Sequence, residues 1–278
     1  MKFSVSMCVY EKDNPVHFRE AINSIINQTL MPDEIVLVVD GEIPGDLRAV
    51  IDEALKKIAI LDVIYLEKNL GHGEARRIGV SKCKNSLVAI MDADDISLPG
   101  RFEKQIQKFK EDPSLSIVGG YIMEFIDIPD NPVGLRHVPK TDGDIKEYMK
   151  SRCPMNQMTV MFKKEAVEQA GGYIDWYCEE DYYLWLRMAQ CGFKFENFDE
   201  VLVCVRAGDE MYRRRGGCKY FISEAKLQVY IFKKKIISVW RLIYNVAIRF
   251  VLQVAMPNGL RVVIYKKLAR KASINSRN

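Results

Sequence analysis

Apolar residues recur along the first two hundred positions in two rhythms, one of strands and one of helices. Phe3–Val9 alternates apolar and small residues and predicts a first strand. Asn14-Pro15 then offers an N-cap followed by proline at the first helical position. Phe18, Ala21, Ile22, Ile25 and Ile26 follow at helical spacing, so one face of that helix packs on a sheet. Glu34–Val39 reads as a strand ending in Asp40-Gly41, Asp46–Ile58 as a helix, and Leu61–Leu66 as a third strand. This β-α-β-α-β order predicts an α/β protein with a Rossmann-like, mostly parallel sheet flanked by helices.

The chain is organised around Ser86–Asp95. Five apolar residues, Leu87–Met91, predict a strand covered on both faces. Beyond it the pattern predicts a helix over Pro99–Lys110, strands at Leu115–Val118 and Tyr121–Ile126, and a Pro-, Gly- and Asp-rich loop over Asp127–Asp144. A strand at Thr159–Lys163 leads into a helix closed by Gly171-Gly172. A helix over Glu179–Met188, with Leu184, Met188 and Cys191 on its buried side, precedes a strand at Val201–Val205.

The central strand delivers Asp92, Asp94 and Asp95 to its C-terminal end, where open α/β sheets bind ligands. Three acids so close repel one another unless a cation or hydrogen-bond donors separate them. Hard oxygen ligands suit Mg²⁺ or Mn²⁺, and a solvated acidic turn is the plainer alternative. Glu180 and Asp181 open a helix, where the dipole favours carboxylates, so they read equally as a cap and as a working pair. The loop Asn69–Gly79 is glycine-rich but lacks the spacing and lysine of a phosphate loop. Arg213, Arg214 and Arg215 form either a diphosphate site or a solvated basic loop.

Charge changes the picture at the C-terminus. Residues 225–278 hold 12 Lys and Arg and no Asp or Glu, whereas residues 1–224 carry a net charge of −8. The division suggests a body over 1–224 and a basic amphipathic helical extension over 225–278 that meets an anionic partner. From Tyr230 onward aromatic, aliphatic and basic residues mix, with Arg241 and Arg249 interrupting and Pro257-Asn258-Gly259 ending the run. That fits a helix lying in a membrane surface better than one crossing it. A helix packed on its own domain is the competing reading. The seven cysteines show no metal or disulfide spacing and read as reduced thiols, and the N-terminus opens on a strand rather than a secretory signal.

Taken in order, these residues resemble the family 2 glycosyltransferases of the GT-A fold, most closely the bacterial enzymes of O-antigen, capsule and exopolysaccharide assembly, including the amylovoran type. The resemblance spans residues 3 to 220. It rests on Ser4–Tyr10, Ser24–Thr29, Asp33–Gly41, Asn69-Leu70-Gly71, Ala75-Arg76, Asp92-Ala93-Asp94-Asp95 and Glu180-Asp181 with Leu184-Trp185. It implies that Val9, Tyr10 and Glu11 line a nucleobase pocket and that Asp40 accepts from the uracil imide. Asn69, Gly71, Arg76, Asp92 and Asp95 would contact the nucleotide sugar, with Asp92 on the ribose, and Asp94 would ligate Mn²⁺ or Mg²⁺. Asp181 would be the general base of an inverting transfer, with Glu180 beside it. Trp185 would offer an apolar face to the acceptor sugar, with core packing an equal alternative, and Arg214 and Arg215 would meet a diphosphate of the donor or acceptor.

The implied reaction is transfer of glucose or galactose from a UDP-sugar to a polyprenyl-diphosphate-linked N-acetylhexosamine, in β1,3 linkage, at the cytosolic face of a bacterial membrane. Arg77 departs from the asparagine common in the family, and Pro154–Gln157 stands where relatives often carry a histidine. No role is assigned to His17 or His137, and His72 lies either near the donor or in solvent. A nucleotidyltransferase would need a basic glycine-rich signature after the first strand, which Met7–Pro15 lacks. An aspartyl phosphatase would need a different sequence after Asp92 and a matching lysine. A nucleic-acid adaptor would need a body that does not repel phosphate. An inactive scaffold of the same fold remains an alternative.

Overall fold

The computed structural model describes residues 1–208 and 216–256. Among them nine strands form one curled sheet: β1 (Phe3–Val9), β2 (Glu34–Val39), β3 (Leu61–Tyr65), β4 (Leu87–Met91), β5 (Ile96–Ser97), β6 (Leu115–Phe125), β7 (Pro132–Arg136), β8 (Met161–Lys163) and β9 (Lys194–Arg206). Their order is β3-β2-β1-β4-β8-β6-β9-β5, with β7 added to β6. The first four in that order run parallel, as the β-α-β-α-β rhythm predicts. From β4 to β8 and from β8 to β6 the pairing turns antiparallel. The strand order reverses direction at β1/β4, so the chain ends of these strands open a crevice there.

Helices cover both faces. Phe3, Val5, Met7 and Val9 point to one side of β1 and pack with Phe18, Ala21, Ile22 and Ile25 of α1 (Pro15–Ile26), with α2 (Gly45–Lys57) and with α4 (Arg101–Glu111). Asn14 caps α1 as expected, its Oδ1 accepting from Val16 N at 2.8 Å. The other side of β1 carries Ser4 and Ser6, whose small side chains let α3 (His72–Lys82) come close. A Cβ on Gly79 would stand 2.6 Å from Ser6 Oγ, so only glycine permits that approach. All six residues of β2 are buried between these layers.

Three expectations need correction. The stretch 127–144 is not one loop: it holds β7 and the start of α5 (Asp142–Tyr148). Among the described residues β7 pairs only with β6, and such an edge strand tolerates Pro132, whose presence reads as a turn. Secondly, β6 is one strand through Gly119-Gly120, though its register with β9 shifts there, and the approach of Asn197 Oδ1 to within 2.6 Å of where a Cβ on Gly119 would stand requires glycine. Thirdly, the division at 224/225 falls inside α8 (Cys218–Lys233). Leu227 and Ile231 of that helix join the core that α6 (Lys164–Gln169) and α7 (Glu180–Gln190) share, so the first helix of the extension belongs to the body.

The second helix of the extension, α9 (Val239–Phe250), is inside-out. Asn245, Arg249 and, in the π-helical turn Val251–Ala255, Gln253 form a buried polar stripe. Trp240, Ile243, Tyr244, Ile248 and Val251 face outward, Trp240 at 78% exposure. No helix among the described residues is long and apolar enough to cross a membrane.

Candidate active site

The crevice is built by the ends of β1, β2 and β4 and by the first turns of α3 and α7. Across the turn after β4, exposure alternates: Asp92 and Asp94 are half-buried, whereas Ala93 and Asp95 are buried. The Asp95 carboxylate faces inward and accepts from Arg206 N at 3.0 Å. Burial, with Asp94 and Asp92 adding like charge, pushes its carboxyl well above the usual range. Asp95 therefore ties the turn to β9. Arg206 also donates from Nε to Asp94 O at 3.3 Å, which fixes the same turn from its other side.

Arg76 is the electrostatic centre. It is buried on α3 and donates from Nη2 to Asp92 Oδ1 at 2.7 Å and from Nη1 to Glu180 Oε1 at 3.0 Å. Burial opposes its charge, but the two carboxylates outweigh that and raise its pKa. One guanidinium thus joins the end of β4 to the start of α7. Its neighbour Arg77 is exposed and pairs with Glu74, so the departure from family pattern at that position lies outside the crevice. His72 Nδ1 stands 3.4 Å from Glu180 Oε1, placing this histidine at the crevice wall.

Glu180 and Asp181 have different environments. Burial works against the Glu180 charge, yet His72 and Arg76 hold its carboxyl below the usual range. Asp181 is pushed up to about 6 by burial and by the Glu180 charge, against the pull of Arg76 and Arg136. Two adjacent carboxylates pushed apart in this way suit one for structure and the other for proton transfer. Cys153 Sγ lies 3.8 Å from Asp181 Oδ2, and Arg136 donates to Cys153 O at 3.0 Å.

Asp40 holds the loop after β3. Its Oδ1 accepts from Leu70 N at 2.7 Å and its Oδ2 from Gly71 N at 3.1 Å, leaving one lone pair on each oxygen. Asn69 braces the same turn, accepting from Gly71 N at 3.1 Å. Gly71 has φ of 89°, the left-handed region that glycine adopts freely, and starts α3. Tyr10 and Glu11 follow β1 at this edge.

Two residues expected at the site are elsewhere. Val9 is buried in the core beneath the crevice. Trp185 is fully buried, its ring 6.4 Å from that of Phe162 and 6.5 Å from that of Tyr173, so it is a core side chain and offers no face to a sugar. Arg214 and Arg215 lie outside the described residues. Asp13 was not legible as a site residue. It accepts from Tyr10 N at 2.9 Å, and burial together with Asp94 and Asp92 pushes its carboxyl up to about 6. Only the recurrence of acids at strand ends could have pointed to it.

Asp13, Asp92 and Asp94 lie close enough at this end of the sheet to repel one another, and Asp94, a hard oxygen donor, is chemically suited to a divalent cation. No three metal-binding side chains among the described residues converge into a cage of their own. An ion at Asp94 would take its remaining ligands from phosphate and water, the usual habit of Mg²⁺.

The curled sheet, the crevice at β1/β4 and the carboxylates around Arg76 define a GT-A glycosyltransferase. The family model of Glycosyl transferase family 2 matches residues 4–169, and the chain belongs to that family. It is 37% identical over 270 residues, 97% of both chains, to the Escherichia coli UDP-Gal:alpha-D-GlcNAc-diphosphoundecaprenol beta-1,3-galactosyltransferase. It is 38% identical to the amylovoran biosynthesis glycosyltransferase AmsE of Erwinia amylovora, over 81% of this chain and 84% of that one. Among solved structures, the Pyrobaculum calidifontis mannosyltransferase PcManGT in complex with GDP-Man and Mn²⁺ matches with a TM-score of 0.62 at 15% identity, covering 96% of this chain and 80% of that one. S. aureus TarS 1-349 in complex with UDP-GlcNAc matches with a TM-score of 0.62 at 14% identity, covering 94% and 69%. At such identities the structures establish the fold. The chain is accordingly a family 2 transferase of polysaccharide biosynthesis.

Proposed function

We propose that this enzyme is a metal-dependent, inverting hexosyltransferase. It moves galactose or glucose from a UDP-sugar to the 3-hydroxyl of an N-acetylhexosamine carried on polyprenyl diphosphate, at the cytosolic face of a bacterial membrane. The observation that carries the reading is the double pairing of Arg76, which couples the donor end of β4 to the acid pair of α7. The similarity to the E. coli galactosyltransferase over nearly the whole chain favours galactose, the β1,3 linkage and the lipid-linked acceptor.

In this reading Asp40, Tyr10 and Glu11 face the uracil, and Asp92, steadied by Arg76, holds the ribose. Mn²⁺ or Mg²⁺ on Asp94 would neutralise the leaving diphosphate. Asp181 takes the proton from the acceptor hydroxyl as its oxygen attacks the anomeric carbon opposite the departing UDP. The bond to UDP breaks as the new glycosidic bond forms, and the configuration inverts. Glu180 stays ionised against Arg76 and keeps the proton-accepting task on its neighbour. The outward face of α9, rich in Trp, Tyr and Ile and flanked by Lys233, Lys234, Lys235 and Arg241, supports membrane attachment beside the lipid-linked acceptor.

The test is binding of UDP-galactose, UDP-glucose and their N-acetyl forms with Mn²⁺, with Mg²⁺ and with EDTA, for wild type and Asp94→Ala. It is followed by transfer to a synthetic N-acetylglucosamine diphospholipid. Metal-dependent binding lost in Asp94→Ala, and a β1,3-linked product, are expected. Binding indifferent to metal, or a product of retained configuration, overturns the mechanism.

A further inference from the structure

The three carbonyls at the C-terminal end of α5 converge on residues from two distant helices. Met149 O accepts from the Tyr182 hydroxyl of α7. Lys150 O accepts from Asn245 Nδ2 of α9 at 3.0 Å, and Ser151 O accepts from Arg249 Nη2. Met149 is the C-cap of α5 and Lys150 and Ser151 form the turn that follows it, where a guanidinium also answers the helix dipole. The next residues lead to Cys153, whose thiol lies against Asp181.

Arg249 has a second hold on the same place. Its Nε lies 3.2 Å from Glu224 Oε2 of α8, and Gln253 donates to that carboxylate as well. Arg249 thereby ties α9 to α8 as well as to the turn after α5. One side chain therefore restrains Asp181 through the 149–153 turn, which ends at Cys153 beside that carboxylate. Asn245 strengthens this route, since its Nδ2 donates to Lys150 O and also to Gln228 Oε1 at 2.8 Å, fixing α9 to α8.

We infer that Arg249, on the helix proposed to lie on the membrane, is a positioning residue for the general base, so that the extension sets the catalytic geometry as well as the location. This rests on the proposed role of Asp181. It makes the two faces of α9 complementary: the outward one reaches lipid, and the inward one grips the elements that aim the base. Misplacement of a reacting group by about 1 Å can cost on the order of 100-fold in rate.

The experiment uses the full chain in vesicles, with UDP-galactose and the N-acetylglucosamine diphospholipid, for wild type, Arg249→Leu, Arg249→Lys, Asn245→Ala and Asp181→Asn. For Arg249→Leu, kcat should fall at least 10-fold while the donor KM stays within twofold, because the donor half of the crevice is untouched. Arg249→Lys should recover most of the loss, since an ammonium still reaches Glu224 or Ser151 O. Asn245→Ala should show the same pattern more weakly, and it supplies the answer should Arg249→Leu fail to fold. Unchanged kcat in these variants, or donor KM worsening in step with kcat, overturns the inference. If Asp181→Asn transfers sugar at the wild-type rate, the base itself is misassigned and the inference falls with it. Asp181→Asn inactive beside fully active Arg249 and Asn245 variants sinks the inference alone.

Discussion

Arg76 donates to Glu180 across 104 residues of sequence, at 3.0 Å and with both side chains largely buried. Because the same guanidinium holds Asp92, removing it leaves two carboxylates without their cation in a site that solvent reaches poorly. Breaking a buried pair in this way costs about 3–5 kcal/mol. Arg76→Met should show that loss in urea unfolding and should bind no donor. Arg76→Lys should unfold closer to wild type yet bind donor weakly, since one ammonium cannot reach both acids with a fork's geometry. Donor affinity equal to wild type in Arg76→Met would show that the bridge has no part in donor binding.

Asp181 gives a pH prediction with a definite sign. A base must be ionised, so kcat should fall as pH drops through about 6, the value to which burial and Glu180 raise this carboxyl. Stability runs the other way. A carboxyl whose pKa is higher in the folded state contributes stability below its unfolded value near 3.8, and this contribution is lost as pH rises through about 6. Above that, the folded protein carries the cost of a half-buried charge. Asp181→Asn should therefore be more stable than wild type at pH 7.5, by about 1–2 kcal/mol once partial exposure is allowed for, and catalytically dead. The gain should vanish near pH 4. Thermal unfolding across pH measures it.

Trp185 separates packing from recognition. With its indole enclosed by Phe162 and Tyr173, Trp185→Ala should destabilise the fold by about 3–5 kcal/mol. Trp185→Phe should keep the acceptor KM while losing less. An acceptor KM that rises sharply in Trp185→Phe, at unchanged stability, would return the residue to the binding surface.

The extension yields a paired prediction. A chain ending at Glu224 loses Leu227 and Ile231, both fully buried, and should be insoluble rather than a free-standing catalytic body. Replacing Trp240, Ile243 and Tyr244 together by Ser leaves the core intact. That variant should keep donor binding while partitioning to anionic vesicles falls on the order of 100-fold or more, given about 1.5–3 kcal/mol for each large apolar side chain withdrawn from lipid. Co-sedimentation at low and high salt reads both the apolar and the ionic share. Undiminished partitioning of the triple variant would assign attachment to another surface.

What could be read from the sequence follows from how local the cause was. β1, β2 and β4 fall where the apolar runs predict them, because a strand buried on both faces needs no partner to announce itself. Asn14-Pro15 marks α1 through the chemistry of its own side chains. Asp92, Asp94, Glu180 and Asp181 were visible because acids at strand and helix ends are conspicuous. The rest depended on distant partners. Nothing within ten residues of Arg76 says that it will meet Glu180. The sequence left Trp185 between an acceptor face and the core, and Leu184, Trp185, Leu186 and Met188 are all fully buried, since α7 is enclosed on several sides and one apolar stripe does not describe it. Helical periodicity finds α9 but not its orientation: the polar stripe of Asn245, Arg249 and Gln253 points inward, contrary to the ordinary rule.

That inverted helix has a consequence for which hydroxyl can react. If Trp240, Ile243 and Tyr244 settle at the headgroup boundary, the rigid path through Arg249 and Ser151 to Cys153 fixes the height of Asp181 above the lipid. An acceptor carried on polyprenyl diphosphate, as proposed above, would be moored to the same plane by its own diphosphate. The enzyme would then work as a gauge of fixed span, open to a sugar close to the phosphate and closed to one at the end of a longer chain. Such a span would limit each acceptor to a single addition without any pocket to count its sugars.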